Sequence, residues 1–163
     1  MLKALSAIGL SLCLMAGSTA FAQDRSQSRS MIISQGGIVA SESVLASQVG
    51  ASILEQGGNA VDAGVAAGIA INVLLPESTN FGGVAPIMIY LSASDSVITI
   101  SGLGRWPRAA NLDYFSKNTA GDIPKGILQS IVPAAPDAWI TALEKYGTLT
   151  FGEVVGPALD LAK

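Results

Sequence analysis

Gly57-Gly58-Asn59-Ala60-Val61-Asp62-Ala63 decides how this chain is read. Two glycines remove the Cβ penalty for positive φ, so a helix arriving from the N-terminal side can close in a left-handed cap. Asn59 follows where a side-chain oxygen accepts the orphan amides of a new helix. The stretch therefore joins the end of one helix to the start of another. From residue 63 to residue 75 no charge interrupts the apolar and small residues. A helix apolar on every side must be surrounded by protein, because this run is well short of the roughly 20 residues that cross a bilayer. It is expected to be the central helix of a larger packed body.

Outward toward the N-terminus, the helix entering this turn is predicted over residues 43–56. Leu45, Val49 and Ile53 recur at helical spacing, Ala46 and Leu54 widen the stripe, and Gln48, Ser52 and Glu55 stay outside. A partly β-branched run at 31–39 reads as a strand ending at a 41–43 turn. Residues 23–36 are assigned to a polar, disordered N-terminus, with Arg25 and Arg29 among its first residues, and the folded portion is taken as 37–163. Residues 1–22 have the layout of a secretory signal: Lys3, an apolar run from residue 4 to 15, and Ala20-Phe21-Ala22 as a small-x-small cleavage site before Gln23. The product is expected to be exported, periplasmic or secreted, with no membrane span after cleavage.

Outward toward the C-terminus, Pro76 ends the central helix, because it has no amide to donate and biases Leu75 away from helical backbone. Residues 86–91 and 97–100 are Ile- and Val-rich runs spaced for a β-hairpin. Gly102, Gly104 and Pro107 make the segment down to Leu112 an irregular exposed loop. One helical turn is predicted at 113–117 and a short strand at 128–132. Pro136 and Asp137 open a helix through Trp139, Leu143 and Tyr146, closed by Gly147 at the position just past its end. Thr150 and Glu153 form a capping-box pattern for a final helix carrying Val154, Val155, Leu159 and Ala162 on one side. Its pattern is still running at Lys163, which reads as a truncation.

Composition narrows the chemistry. The chain has no histidine, which excludes Ser-His-Asp and Cys-His nucleophiles and His-ligated metal. Its acids are scattered without calcium-loop spacing, so no metal site is assigned. The glycine pairs lack the third glycine of a dinucleotide fingerprint, and no cofactor is implied. The single cysteine, Cys13, leaves with the signal, so no disulfide is expected. A net charge of −3 without basic clusters argues against nucleic acid and toward a small-molecule partner.

The residues also carry a resemblance. Gly37-Ile38-Val39-Ala40-Ser41, the Gly57 to Ala63 turn, Pro76-Glu77-Ser78, Gly82-Gly83 and Met88-Ile89-Tyr90 appear in the order of the gamma-glutamyltransferase family. Val132-Pro133-Ala134-Ala135-Pro136-Asp137-Ala138-Trp139, Lys145-Tyr146-Gly147 and Pro157-Ala158-Leu159-Asp160-Leu161-Ala162 continue it, so the match spans 37–163. The resemblance implies a mixed α/β architecture: the N-terminal portion of an N-terminal-nucleophile four-layer αββα sandwich, here helices and a hairpin. It also implies a precursor that cuts itself to free a threonine, whose own α-amine serves as base when its hydroxyl attacks a γ-glutamyl amide. That threonine lies in a Thr-Thr-His context that this sequence does not contain. Thr148 and Thr150 read as a loop residue and a helix cap, so no catalytic residue is assigned within this chain.

One substrate contact is implied. The family uses an arginine, in a loop after the first hairpin, to bind the α-carboxylate of the glutamyl group. Here Gly104-Arg105-Trp106-Pro107-Arg108-Ala109-Ala110-Asn111 stands in that place, with Arg105 the best match and Arg108 in reserve. A guanidinium offers a planar fork of donors to a carboxylate; a solvated surface arginine is the competing reading. Trp106 departs from the acidic or small residue usual there, and Val84-Ala85-Pro86 interrupts the family's longer glycine run after Gly82-Gly83.

Three functions follow. The first is part of an enzyme moving the γ-glutamyl group of glutathione or a related compound, inactive alone and completed by further polypeptide. The second is a related amidase or acylase of changed specificity. The third is a non-catalytic exported remnant or binding module.

Overall fold

The computed structural model describes residues 32–163, of which Ser34–Lys163 form one compact unit. The signal reading, and the disordered reading up to residue 31, lie outside the described residues. Helix α1 runs Val44–Glu55 and helix α2 Ala60–Leu74. Hairpin strands β1, Ile87–Leu91, and β2, Ser96–Ile100, follow, then helices α3, Leu112–Asn118, α4, Ala135–Tyr146, and α5, Phe151–Leu161.

The turn at 57–59 forms as its residues dictate. Gly57 adopts a φ of +92°, and the Asn59 side chain accepts from the amides of Val61 and Asp62 at 2.8 and 3.1 Å. The Asp62 carboxylate reaches back to the Asn59 amide at 2.9 Å, completing a reciprocal cap.

Helix α2 is central: α1, α4 and α5 all pack against it. Ile53 of α1, Ile69 of α2 and Val154 of α5 are the largest fully buried apolar side chains, each worth about 1.5–3 kcal/mol of transfer free energy. The covering of α2 runs along the face carrying Ala63, Ala66, Ile69 and Ala70, while Gly64 is exposed and Gly68 and Asn72 are half-buried. The uncovered stripe is built of small residues, which expose little apolar area.

The antiparallel hairpin pairs Ile87 with Ile100 and Ile89 with Ile98. Side chains alternate across a strand, so Ile87, Ile89 and Ile100 face inward, and Ile87 and Ile100 pack on the helical core. Met88, Tyr90 and Val97 point the other way and are exposed.

Four expectations are corrected. Residues 32–39 form no strand, and Ile32, Ile33 and Ile38 are exposed; a strand needs a paired neighbour, and β1 and β2 pair with each other. The expected strand at 128–132 is a 3-10 turn, Ile127–Gln129, followed by irregular chain. The amides of Gln129 and Ser130 bond back to the carbonyls of Gly126 and Ile127, and only Val132 bonds across, to Arg105, so no ladder forms. The stripe of α1 buries Ala46, Val49 and Ile53 as expected but leaves Leu45 half-exposed, and on α5 Ala158 is buried where Leu159 was expected. Gly147 ends α4 with a φ of −77°, so the left-handed freedom of glycine is not what the site uses. A Cβ there would lie 2.6 Å from Asp62 Oδ1 and 2.8 Å from the Leu143 carbonyl oxygen.

Candidate functional site

Arg105 stands in the loop that leaves β2. The Ala85 amide donates to the Gly102 carbonyl at 3.1 Å, prolonging the hairpin pairing to the loop's first residues. Two residues on, Gly104 lies so close to residue 132 that a Cβ would overlap the Val132 carbonyl. The Val132 amide then donates to the Arg105 carbonyl at 3.0 Å. The backbone that carries Arg105 is thus fixed against the segment entering α4.

That segment joins two of the pieces singled out in the sequence. Beyond Val132, the amides of Ala134 and Ala135 make long contacts, 3.4 and 3.3 Å, to the Gly83 carbonyl. Residues 132–135 therefore run between the Arg105 loop on one side and the Gly82-Gly83 loop on the other. Both arginine side chains, Arg105 and Arg108, are exposed. The salt bridge among the described residues joins Lys163 to Asp160, so no described carboxylate occupies either guanidinium.

Two aromatic contacts frame the loops. Trp106 meets Phe115 of α3 edge to face, with centroids 5.9 Å apart and planes at 63°, and Phe115 is 3% exposed. Phe81, in the loop after α2, meets Trp139 of α4 in the same manner at 5.0 Å. Trp139 also borders two open grooves. One, about 560 Å³, lies between α2 and β1 and is lined by Gly64, Val65, Ile87 and Ile89. The other, about 350 Å³, is lined by Gly68, Asn72, Asn80 and Gly83.

Thr148 and Thr150 are both engaged. Thr150 caps α5, accepting from the Glu153 amide at 3.3 Å while its own amide and hydroxyl donate to Glu153 Oε2 at 2.8 and 2.7 Å. The hydrogen bonds from Thr150 hold the Glu153 carboxyl below its usual range. Thr148 donates its hydroxyl to Asp62 Oδ2 at 2.7 Å and its amide to both carboxylate oxygens at 3.1 Å. The Leu149 amide adds a longer bond at 3.3 Å. Burial pushes the Asp62 carboxyl up, but the bonds from the Thr148 hydroxyl and from the amides of Asn59, Thr148 and Leu149 outweigh it and hold the group below its ordinary value.

The pairing of Asp62 with Thr148, and both aromatic contacts, escaped the sequence reading. The sequence reading took Asn59 as the cap of α2 but not Asp62 as its reciprocal partner, and the distant half of the Asp62 site has no sequence spacing that announces it. Among the described residues no group of three or more His, Cys, Asp or Glu is placed to hold a metal ion. No helix among them is long and apolar enough to cross a membrane.

Helices packed around α2 with an antiparallel hairpin on one flank form part of the N-terminal-nucleophile sandwich. The solved gamma-glutamyltranspeptidase of Helicobacter pylori superposes with a TM-score of 0.73 at 31% identity, over 82% of this chain and 39% of that one. A cephalosporin acylase from Bacillus halodurans superposes at 0.72 and 31% identity, over 81% of this chain and 25% of that one. Residues 46–163 match the family described as Gamma-glutamyltranspeptidase, and the chain belongs to that family. The glutathione hydrolase proenzyme of Escherichia coli (strain K12) is 38% identical over 131 residues, covering 78% of this chain. The present chain spans 22% of the length of that relative.

Proposed function

We propose that residues 37–163 form the N-terminal portion of the large subunit of an exported enzyme that hydrolyses or transfers the γ-glutamyl group of glutathione or related compounds. Arg105 binds the α-carboxylate of the glutamyl group. The nucleophilic threonine comes from polypeptide outside this sequence, and the chain alone is inactive. The signal is residues 1–22, and the mature chain begins at Gln23.

The observation that carries the reading is the pinned backbone of Arg105, held by Val132 beside Gly104 with its guanidinium exposed. A cation on a fixed backbone holds the carboxylate end of a substrate so that the γ-carbonyl meets the nucleophile in a constant geometry. The threonine hydroxyl then adds to that carbonyl, the amine leaves, and the acyl-enzyme passes its glutamyl group to water or to an amino acid amine. The test is cleavage of γ-glutamyl-p-nitroanilide by the complete, matured gene product. Turnover that weakens in Arg105→Ala supports the proposal; a correctly matured but inactive protein overturns it.

A second reading, an amidase or acylase of changed specificity, is favoured by Trp106 at the residue after Arg105 and by the likeness to the cephalosporin acylase. Substrate profiling separates the two. Loss confined to γ-glutamyl substrates in Arg105→Ala supports the first, and indifference to that substitution supports the second.

A further inference from the structure

Trp106 is large and apolar, and stands next to the residue that most needs a constant direction. The residue is 47% exposed, yet its ring meets that of Phe115 edge to face, and Phe115 is almost wholly withdrawn from water. Edge-to-face pairs of this kind have a preferred geometry that simple burial of area lacks. The contact therefore fixes an orientation more than it builds a core.

Arg105 is held on one side only by hydrogen bonding, through its carbonyl to Val132. On the other side its chain continues into Trp106 and Pro107. Pro107 confines Trp106 to extended backbone by the clash of its ring with the preceding residue. A tryptophan held on α3 at a position before proline limits how the peptide it shares with Arg105 can turn, so the contact narrows the directions open to the guanidinium. Helix α3 is itself fixed in place: Asn111 caps it by accepting from the Tyr114 amide at 2.9 Å, and Phe115 is its buried residue.

We propose that Trp106 is a positioning residue for Arg105, acting through its contact with Phe115 to aim the guanidinium at the substrate carboxylate. The inference rests on the carboxylate-binding reading of Arg105. It assigns to Trp106 no contact with substrate.

The experiment compares Trp106→Ala, Trp106→Phe, Phe115→Leu and Arg105→Ala in the complete, matured enzyme. Two substrates are used: γ-glutamyl-p-nitroanilide and 4-aminobutyryl-p-nitroanilide, which lacks the α-carboxylate. Binding of L-glutamate by calorimetry gives a readout independent of turnover. Trp106→Ala is expected to raise KM for the γ-glutamyl substrate roughly tenfold, with kcat within about twofold, and to leave KM for the descarboxy substrate unchanged. Trp106→Phe is expected to restore most of the loss, and Phe115→Leu to reproduce part of it. If Trp106→Ala folds poorly, Phe115→Leu and L-glutamate binding to Trp106→Phe carry the test.

Equal losses on both substrates, or a fall in kcat at constant KM, overturn the proposal and leave Trp106 a structural contact. If Arg105→Ala weakens carboxylate binding while the Trp106 and Phe115 variants do not, the positioning role fails and the reading of Arg105 stands. If Arg105→Ala changes nothing, both fail.

Discussion

Thr148 donates both its amide and its hydroxyl to the carboxylate of Asp62, 86 residues away in the chain. The same corner is closed from the other side by Asn59, whose Nδ2 donates to the Tyr146 carbonyl at 2.7 Å. One turn at the start of α2 thus serves the last carbonyl of α4, that of Tyr146, and the amides of Thr148 and Leu149 in the connection to α5. Tyr146 would otherwise leave a helix-terminal carbonyl without an internal partner. The pairing fixes where α4 ends relative to α2, and α4 begins at the residues that touch Gly83.

Asp62→Ala should therefore be among the most damaging substitutions in the chain. It strips partners from the amides of Asn59, Thr148 and Leu149 at once in a buried setting. A loss of about 3–5 kcal/mol is expected, read as a shift in urea midpoint at unchanged m-value. Thr148→Val should cost about 1–2 kcal/mol and Thr148→Ser less than about 1 kcal/mol, because serine keeps the hydroxyl. A Thr148→Ser protein as unstable as Thr148→Val would show that the methyl packing, not the hydroxyl, matters there.

The same carboxylate sets a direction for pH dependence. Its pKa in the folded protein lies below the ordinary 3.8. The unfolded chain therefore takes up a proton at a pH where the native state does not. Stability from this group is fully present above about 3.8 and is lost as pH falls through the lowered folded value. Glu153 acts in the same direction. Denaturation curves collected from pH 7 to pH 3 should show stability falling toward the acid end, with a shallower slope in Asp62→Asn. An equal slope in that variant would remove Asp62 from the account.

How much of this was legible in the sequence divides along the range of the interactions. The 57–63 turn, the Thr150 cap and the hairpin are decided by neighbours within a few residues, so Gly57, Asn59 and Glu153 could be read directly. Leu45 and Leu159 stand at the exposed edge of their stripes, while Ala46 and Ala158 are buried, because the facing residues set which side of a helix is covered and a small residue lets α2 approach closely. The 31–39 and 128–132 runs have strand composition, but neither has a paired strand among the described residues. For the candidate site, Arg105 could be named by resemblance; that Val132 fixes its backbone and Phe115 holds its neighbour depends on segments that the chain brings together only on folding.

Gly147 offers a test of close packing. Its φ is allowed to any residue, so Gly147→Ala introduces no backbone strain; it adds a methyl group 2.6 Å from Asp62 Oδ1. Neither the carboxylate, held by four donor groups, nor the Leu143 carbonyl at 2.8 Å can yield cheaply. A cost of about 1–3 kcal/mol is expected from overpacking. Combined with Asp62→Ala, which removes the carboxylate, the alanine should cost less than it does alone, and a double-mutant cycle measures that coupling. Simple additivity would mean that the clash is with the Leu143 carbonyl instead.

Arg105 and Arg108 are separated by the same logic of geometry. Both are exposed cations in one loop, but the backbone of Arg105 is bonded to Val132, and that of Arg108 has no such bond among the described residues. If Arg105 binds the α-carboxylate, Arg105→Ala should lower kcat/KM for γ-glutamyl-p-nitroanilide by roughly 30-fold, the equivalent of about 2 kcal/mol for a charge-assisted contact. Arg105→Lys should recover only part of this, since an ammonium keeps the charge but cannot present two parallel donors to one carboxylate. Arg108→Ala should change kcat/KM by less than about threefold and should instead reduce its dependence on ionic strength, as expected of a cation that attracts substrate without touching it. A reversed ranking, with Arg108→Ala the more damaging, would transfer the carboxylate contact to the second arginine.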